Sequence, residues 1–344
     1  MLKIALRLVL LLLIVAVAAL AGLRGWATLR ERADPGTAAG AGATFVTVDG
    51  LPIHYREWGK TDGRPLVLVH GTMAWAETWR DIAGPLADAG FRVIAPDLPP
   101  FGFSRRPADG DYSRTAQARR LLGFADVLGL DRFALAGHSF GGGATIEAAF
   151  AAPERVEVLA LLDVAIGLGR PHSGPPLAPL FGVGWLRDAA IAATFTNPWM
   201  TGKGLRDFIH DDAIVTAERI ALYQRPLVVA GTTTAVGDWF LSGLFGNESG
   251  ARSADPAAYG GFAPPVLIVW GRQDTVTPLD QGEAIAAAFG DARLSVLDDV
   301  NHIPHVEKPA EVVREMLDFL ADAPAADDSD TANDHLRGSL ATEH

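Results

Sequence analysis

Arg132-Phe133-Ala134-Leu135-Ala136-Gly137-His138-Ser139-Phe140-Gly141-Gly142-Gly143-Ala144 reads as a strand, an abrupt turn centred on a serine, and the start of a helix. An apolar run leads into the turn, and small residues continue the helix to Ala152, where Pro153 stops it. A serine hydroxyl is a poor nucleophile at neutral pH, so it must stand exposed where a histidine can take its proton. A sharp strand-to-helix turn gives that exposure. Gly137 and Gly141 fit because a side chain two residues before or after Ser139 would clash at the bend. The same turn carries the Phe140 N–H to a helix N-terminus, where it can stabilise a developing oxyanion. Ser139 is the candidate nucleophile; the rival reading is a glycine-rich loop with an idle serine.

The flanking chain supplies the rest of a sheet. Phe45 to Val48 and Ile53 to Trp58 alternate around Asp49-Gly50, a hairpin turn pair, so the sheet should begin antiparallel. Pro65 to Val69 is a continuous apolar run suited to a strand buried on both faces. It ends at His70-Gly71-Thr72-Met73, where the Thr72 N–H is the candidate second oxyanion donor and His70 reads as structural. Ala76 to Ala89 has helical spacing, and Phe91 to Ala95 is the next strand. It runs into Asp97-Leu98-Pro99-Pro100-Phe101-Gly102-Phe103-Ser104 at the sheet edge where ligands bind in open α/β sheets, which makes Phe101 and Phe103 candidate pocket residues. Tyr112 to Leu130 is a further helix, and Val156 to Leu162 a buried strand ending in Asp163.

At 344 residues and 49% hydrophobic composition, the chain is long enough for one large α/β core with an insertion and no second independent domain. A net charge of −12 without a basic stripe argues against a nucleic-acid partner. The absence of cysteine excludes disulfides, a thiol nucleophile and a thiolate metal site.

Residues 1–34 stand apart. Lys3 and Arg7 precede an uncharged run from Leu8 to Leu23, and Arg24, Arg30, Glu31 and Arg32 follow it. This reads as a membrane segment in which residues 4–23 meet the bilayer, Arg7 snorkelling to the headgroups. A cleaved signal peptide competes, with Ala16-Val17-Ala18 or Ala19-Leu20-Ala21 at the cleavage spacing; Arg24, close behind the run, favours an uncleaved anchor. Lys3, Arg7 and the α-amine favour an inside N-terminus and an extracytoplasmic, periplasmic domain, while Arg24, Arg30 and Arg32 pull the other way. Residues 35–43, rich in Ala and Gly, read as a linker.

Taken together, His70-Gly71-Thr72, Asp97-Leu98-Pro99 with Phe101-Gly102 and Ser104, the Gly137 to Gly141 turn, Asp274 and His302 resemble the lid-bearing α/β-hydrolases, the group that includes esterases, lipases and C–C bond hydrolases. The resemblance covers roughly residues 44 to 322. It implies a mostly parallel eight-stranded sheet with helices on both faces and an inserted helical lid. The corresponding pieces are a core first part over 44–164, a lid over 165–262, a core second part over 263–322 and a disordered acidic tail over 323–344. Two departures from the family pattern stand out: Pro100 where glycine is usual, and Asn301, which tolerates a left-handed backbone, where glycine is common before the histidine. Tyr223 falls on a piece that resembles a lid helix, and with Met73, Phe101 and Phe103 it is a candidate substrate contact.

Asp274, in Gly271-Arg272-Gln273-Asp274 after the strand Pro265 to Trp270, is the candidate acid, able to accept the imidazole N–H and hold its tautomer. Asp163 is its rival, since some relatives place the acid after the earlier strand. His302 is the candidate general base; His305 lacks the further ligands a metal site needs and reads as packing. The order Ser139, Asp274, His302 is the one this fold uses. The expectation is therefore a membrane-anchored serine hydrolase that cleaves a carboxylic ester of an apolar substrate through an acyl-enzyme, without cofactor or metal. A C–C bond hydrolase or cofactor-free perhydrolase with the same triad is the alternative, and a non-catalytic binding protein on the same fold is a third reading. Serine at position 139, and not aspartate, argues against the alkyl-enzyme chemistry of haloalkane dehalogenases and epoxide hydrolases.

Overall fold

A computed structural model describes residues 2–168, 181–244, 246 and 250–322. The tail over 323–344, and the part of the lid expected over 169–180, lie outside the described residues. The N-terminal run forms one helix, α1 (Leu2–Arg30), followed by a short helix α2 (Pro35–Ala39). Strands β1 (Thr44–Val48) and β2 (Leu51–Trp58) form the expected hairpin, with Asp49 and Gly50 both at positive φ (48° and 79°), as a tight two-residue turn requires.

Six more strands complete the sheet: β3 (Arg64–Val69), β4 (Phe91–Pro96), β5 (Phe133–His138), β6 (Val156–Leu162), β7 (Val266–Gly271) and β8 (Ala292–Leu297). The eight lie in the order β1-β2-β4-β3-β5-β6-β7-β8, antiparallel up to β4 and parallel thereafter. β5 and β7 are buried along their whole length, which is why they read as unbroken apolar runs. Helices α3 (Arg80–Asp88), α4 (Arg114–Val127) and α5 (Gly141–Ala151) pack on the sheet, α5 buried at every position but its last, Ala151. Its Gly142, Ala144 and Ala148 let it lie close to the strands.

Between β6 and β7 the described residues contribute helices: α6 (Gly184–Ala193), α7 (Pro198–Phe208), α8 (Ala217–Gln224) and α9 (Thr232–Trp239), with short 3₁₀ and π turns. This insert covers the C-terminal edge of the central strands. The last part of the chain adds α10 (Leu279–Phe289), the single turn α11 (Pro304–Glu307) and α12 (Pro309–Asp322). In α12, Val312, Met316 and Leu320 recur every four residues and are the buried face.

The foot of α1 and the segment read as a linker depart from expectation. Ala27 is fully buried, Trp26 stacks on Trp199 of α7 at 5.0 Å, and Arg24 reaches Asp188 of α6 at 3.5 Å. Arg30 donates to the Thr196 carbonyl (2.7 Å), and the buried Glu31 carboxylate accepts the Thr233 N–H (2.8 Å) and hydroxyl. Ala33 bridges the insert through Ala33 N–H to Val228 O and Ala230 N–H to Ala33 O. Residues 35–39 are held and not loose, with Asp34 capping α2 through the Gly36 N–H and Ala38 and Ala39 packing on the core, while residues 40–42 are exposed.

Candidate active site

The turn between β5 and α5 is built as the glycines imply. Ser139 sits at φ 50°, in the left-handed region, with its N–H on Leu162 O and its carbonyl accepting from Gly142 and Ala165. A Cβ at Gly137 would overlap Thr145, and one at Gly141 would overlap the His70 carbonyl, so strand, turn and helix approach only because both positions are bare.

The structure brings Ser139, His302 and Asp274 together. Ser139 Oγ lies 2.8 Å from His302 Nε2, and His302 Nδ1 lies 2.9 Å from Asp274 Oδ2. Asp274 also accepts the N–H groups of Val276 (2.7 Å) and Thr277 (2.9 Å) and the Thr277 hydroxyl (2.6 Å). A carboxylate that receives so many donors is an acceptor towards His302, so Nδ1 carries the proton and Nε2 is left to accept from the serine. Burial alone would push the Asp274 carboxyl up; the hydrogen bond and charge of His302, with the Thr277 hydroxyl, outweigh it and hold the group below its ordinary value.

Asp163 lies behind this chain and not within it. Its Oδ1 accepts the Gly271 N–H at 2.9 Å, its Oδ2 is buried without a partner among the described residues, and no part of it is exposed. Burial, then the nearby Asp274 charge, raises its carboxyl well above the usual range. Ligand atoms of Asp163, Asp274 and His302 all lie within 4.8 Å of one another. Both imidazole nitrogens of His302 are already engaged, so this trio offers no ready set of metal ligands.

The other histidines hold the frame. His138 Nε2 donates to the His302 carbonyl at 2.7 Å, and burial, followed by the neighbouring His302, takes its imidazole down to about 3. His70 accepts the Leu98 N–H on Nε2 (3.0 Å) and faces the Gly71 carbonyl through Nδ1, while His305 packs tilted against Trp79 with ring centroids 4.1 Å apart.

Ser139 and His302 open into a largely apolar cavity of about 590 Å³. Thr72, Met73, Phe140 and Tyr223 line it. Among the described residues, neither the Thr72 nor the Phe140 N–H has a protein acceptor. Phe101 and Phe103 do not line it, a correction to the sequence reading. Phe101 stands one layer back against Phe140 and Trp239, and Phe103, fully buried, packs on Trp75 and His54. Their loop is drawn inward by the Asp97 carboxylate, which accepts the Ala76 and Phe103 N–H groups and bonds His54, so the rings turn to the core and not to the mouth. The left-handed residue ahead of His302 is Asp299 (φ 54°), not Asn301. Asn301 is held by its side chain, whose Oδ1 accepts the Thr275 N–H.

Thr277 and Glu307 escaped the sequence reading. Thr277 follows Asp274 by three residues, the spacing of a side-chain cap, and that is the signal that identifies it. Glu307 leaves no such mark, because its partners are backbone N–H groups, which no side-chain pattern advertises, and one of them, His210, lies 97 residues away.

A family model described as "Alpha/beta hydrolase family" matches residues 66–315. The chain is 31% identical to a 2-hydroxymuconate semialdehyde hydrolase of Pseudomonas sp. (strain CF600), over 77% of this chain and 89% of the relative. It is 29% identical to a 2-hydroxy-6-oxo-6-phenylhexa-2,4-dienoate hydrolase of Comamonas testosteroni, over 78% and 91%. Among solved structures, a membrane phospholipase A superposes with a TM-score of 0.64 at 26% identity, covering 94% of this chain and 99% of that one.

Proposed function

This chain belongs to the alpha/beta hydrolase family, and from that premise we propose that it is a serine hydrolase cleaving a carboxylic ester with a long apolar part, held at a membrane by α1. The observation that carries the reading is the hydrogen-bonded series Ser139, His302, Asp274 opening onto an apolar cavity. Ser139 Oγ attacks the ester carbonyl as His302 Nε2 takes its proton, and the Thr72 and Phe140 N–H groups receive the oxyanion. The imidazolium then gives the proton to the leaving alkoxide, an acyl-Ser139 remains, and a water activated by His302 releases the acid. Asp274 keeps the tautomer throughout.

Two features favour a lipid ester. Phe195, Met200 and Leu244 line the cavity and are also 37–40% exposed, so the mouth is apolar from inside to outside. Trp185 and Trp199 stand 59% and 76% exposed on the same insert, beside the foot of α1. The helix itself is about 44 Å long against a hydrocarbon layer of ~30 Å, and its apolar part is unburied. Residues 165–262 would then act as the lid. The membrane phospholipase A, aligned over nearly the whole chain, is consistent with this.

The relatives named for 2-hydroxy-6-oxo-dienoate and semialdehyde substrates favour a second reading, C–C bond hydrolysis by the same three residues. Such substrates are anionic, and the cations on the cavity wall are already engaged, Arg114 by Ile166 O and Lys203 by Asp207. The largely apolar lining favours an uncharged substrate tail. The test is a p-nitrophenyl ester chain-length series with the full chain in detergent, a dienoate substrate in parallel, and Ser139→Ala as control. Turnover of medium or long esters, abolished in the variant with its melting temperature kept, is expected. Cleavage of the dienoate alone would favour the second reading, and turnover surviving in Ser139→Ala would overturn both.

A further inference from the structure

Glu307, the last residue of α11, touches none of the reacting atoms, yet its carboxylate is buried and fully occupied by backbone donors. Oε2 accepts the His210 N–H at 2.6 Å, Oε1 accepts the Ile303 N–H at 3.1 Å, and the Asn301 N–H is shared between the two at 3.1 and 3.2 Å. Asn301 and Ile303 are the two neighbours of His302. His210 belongs to the insert, two residues beyond the end of α7. Two more bonds run along the same seam: His302 N–H to Phe208 O at 3.0 Å, and Asn301 Nδ2 to Asp207 O at 3.3 Å.

We infer that Glu307 is a positioning residue that fastens segment 207–210 of the insert to the 301–303 turn, so that the seating of the insert sets the aim of the His302 imidazole at Ser139. The inference rests on the serine-hydrolase reading and adds to it the means by which the insert governs the base. The chemistry of the clasp is specific to glutamate. Three N–H groups converge on one side chain, which must offer acceptors at both ends and no donor. Glutamine presents an amide N–H₂ to either His210 or Ile303 whichever way it is turned, leaving that N–H facing a donor. Aspartate is one methylene short of spanning the two segments. Burial raises the Glu307 carboxyl above its ordinary value despite these bonds, so the site keeps a charge that solvent would hold more readily.

The seam also limits how the insert can move. With α7 tied to the base's own turn, an opening that lifts residues 207–210 pulls on both neighbours of His302. A displacement of about 1 Å at a reacting group is enough to cost on the order of 100-fold in rate.

The experiment uses the full chain with two variants, Glu307→Gln and His210→Pro. The second removes the N–H on the insert's side together with the exposed contact of the His210 imidazole with Asp299 at 3.9 Å, for which His210→Ala is the control, and Ile209, at φ −117° and ψ 137°, already has the extended backbone a residue before proline needs. Ester turnover and amide hydrogen exchange are measured together. In Glu307→Gln, kcat should fall about 10- to 100-fold with KM within about threefold, and amides in 207–210 and 301–303 should exchange faster together. In His210→Pro, a smaller fall in kcat and faster exchange at 301–303 are expected. The inference is overturned if kcat of folded Glu307→Gln stays within twofold of wild type, or if exchange rises in 301–303 alone. Should Glu307→Gln fail to fold, His210→Pro decides, and an unchanged kcat there overturns it. The exchange result stands whether or not any ester is turned over, which separates this inference from the hydrolase reading.

Discussion

Asp163 and Asp274 end adjacent strands and compete for the same role in the sequence, and hydrogen-bond donors separate them. Asp274 receives two N–H groups, a hydroxyl and the imidazole; Asp163 receives one N–H, and its second oxygen has no partner among the described residues. Burial and the Asp274 charge both push the Asp163 carboxyl up, whereas at Asp274 the hydrogen bond and charge of His302, with the Thr277 hydroxyl, outweigh burial and hold the carboxyl down, so Asp274 is the one equipped to accept from His302. Asp163→Asn should therefore leave kcat within a few-fold of wild type, while Asp274→Asn, which upsets the tautomer of His302, should lower it roughly 10³- to 10⁴-fold. The reverse ranking in steady-state kinetics would make Asp163 the acid. Ser139, His302 and Asp274 were legible because each belongs to a local pattern: a glycine-flanked turn or a strand end. Phe101 and Phe103 were not, since which way a loop ring turns is settled by Asp97, His54 and Trp75, contributed from other stretches of chain.

At the scale of elements, the strands and the sheet edge could be read from continuous or alternating apolar runs, and α1 from its length without charge. Where α1 stops standing free and begins to pack on the insert could not. Trp26, Ala27, Arg30 and Glu31 look like an ordinary helix end, and only their partners Trp199, Thr196 and Thr233, about 170 to 200 residues away, show that they belong to the insert. Removal of residues 1–22 should leave this brace intact. Removal of residues 1–34 strips the Thr233 N–H of its acceptor and Val228 and Ala230 of their bridge. Limited proteolysis should then cut the insert of the shorter form much faster than that of the longer one. Equal protection of the two forms would show that the brace contributes nothing to the order of the insert. Glu31→Ala in the full chain should loosen the insert in the same direction by a smaller amount.

For the whole molecule, the cluster of buried imidazoles around the site links stability to pH. Burial holds His70, His138 and His305 neutral, His138 down to about 3. The unfolded chain protonates each near pH 6.5, so below that value it gains protons the folded chain refuses, and stability falls as pH falls; above about pH 7 the contribution is complete. Each imidazole gives a slope of up to ~1.4 kcal/mol per pH unit in this window. Asp163 and Glu307, raised by burial, pull the other way. The clean observable is thus a difference: His305→Phe should flatten the fall in urea midpoint between pH 7 and pH 5 relative to wild type, and parallel curves would refute a neutral His305. The grip of α1 on the insert has a kinetic meaning of its own. In a bilayer, a rigidly footed helix holds the mouth at one height and one inclination, so the molecule cannot swing out to sample dissolved substrate. Under the proposed membrane-held reading it would meet ester by lateral diffusion in two dimensions. Its rate would then follow the mole fraction of substrate in the surface, falling as inert lipid dilutes that surface at constant bulk concentration.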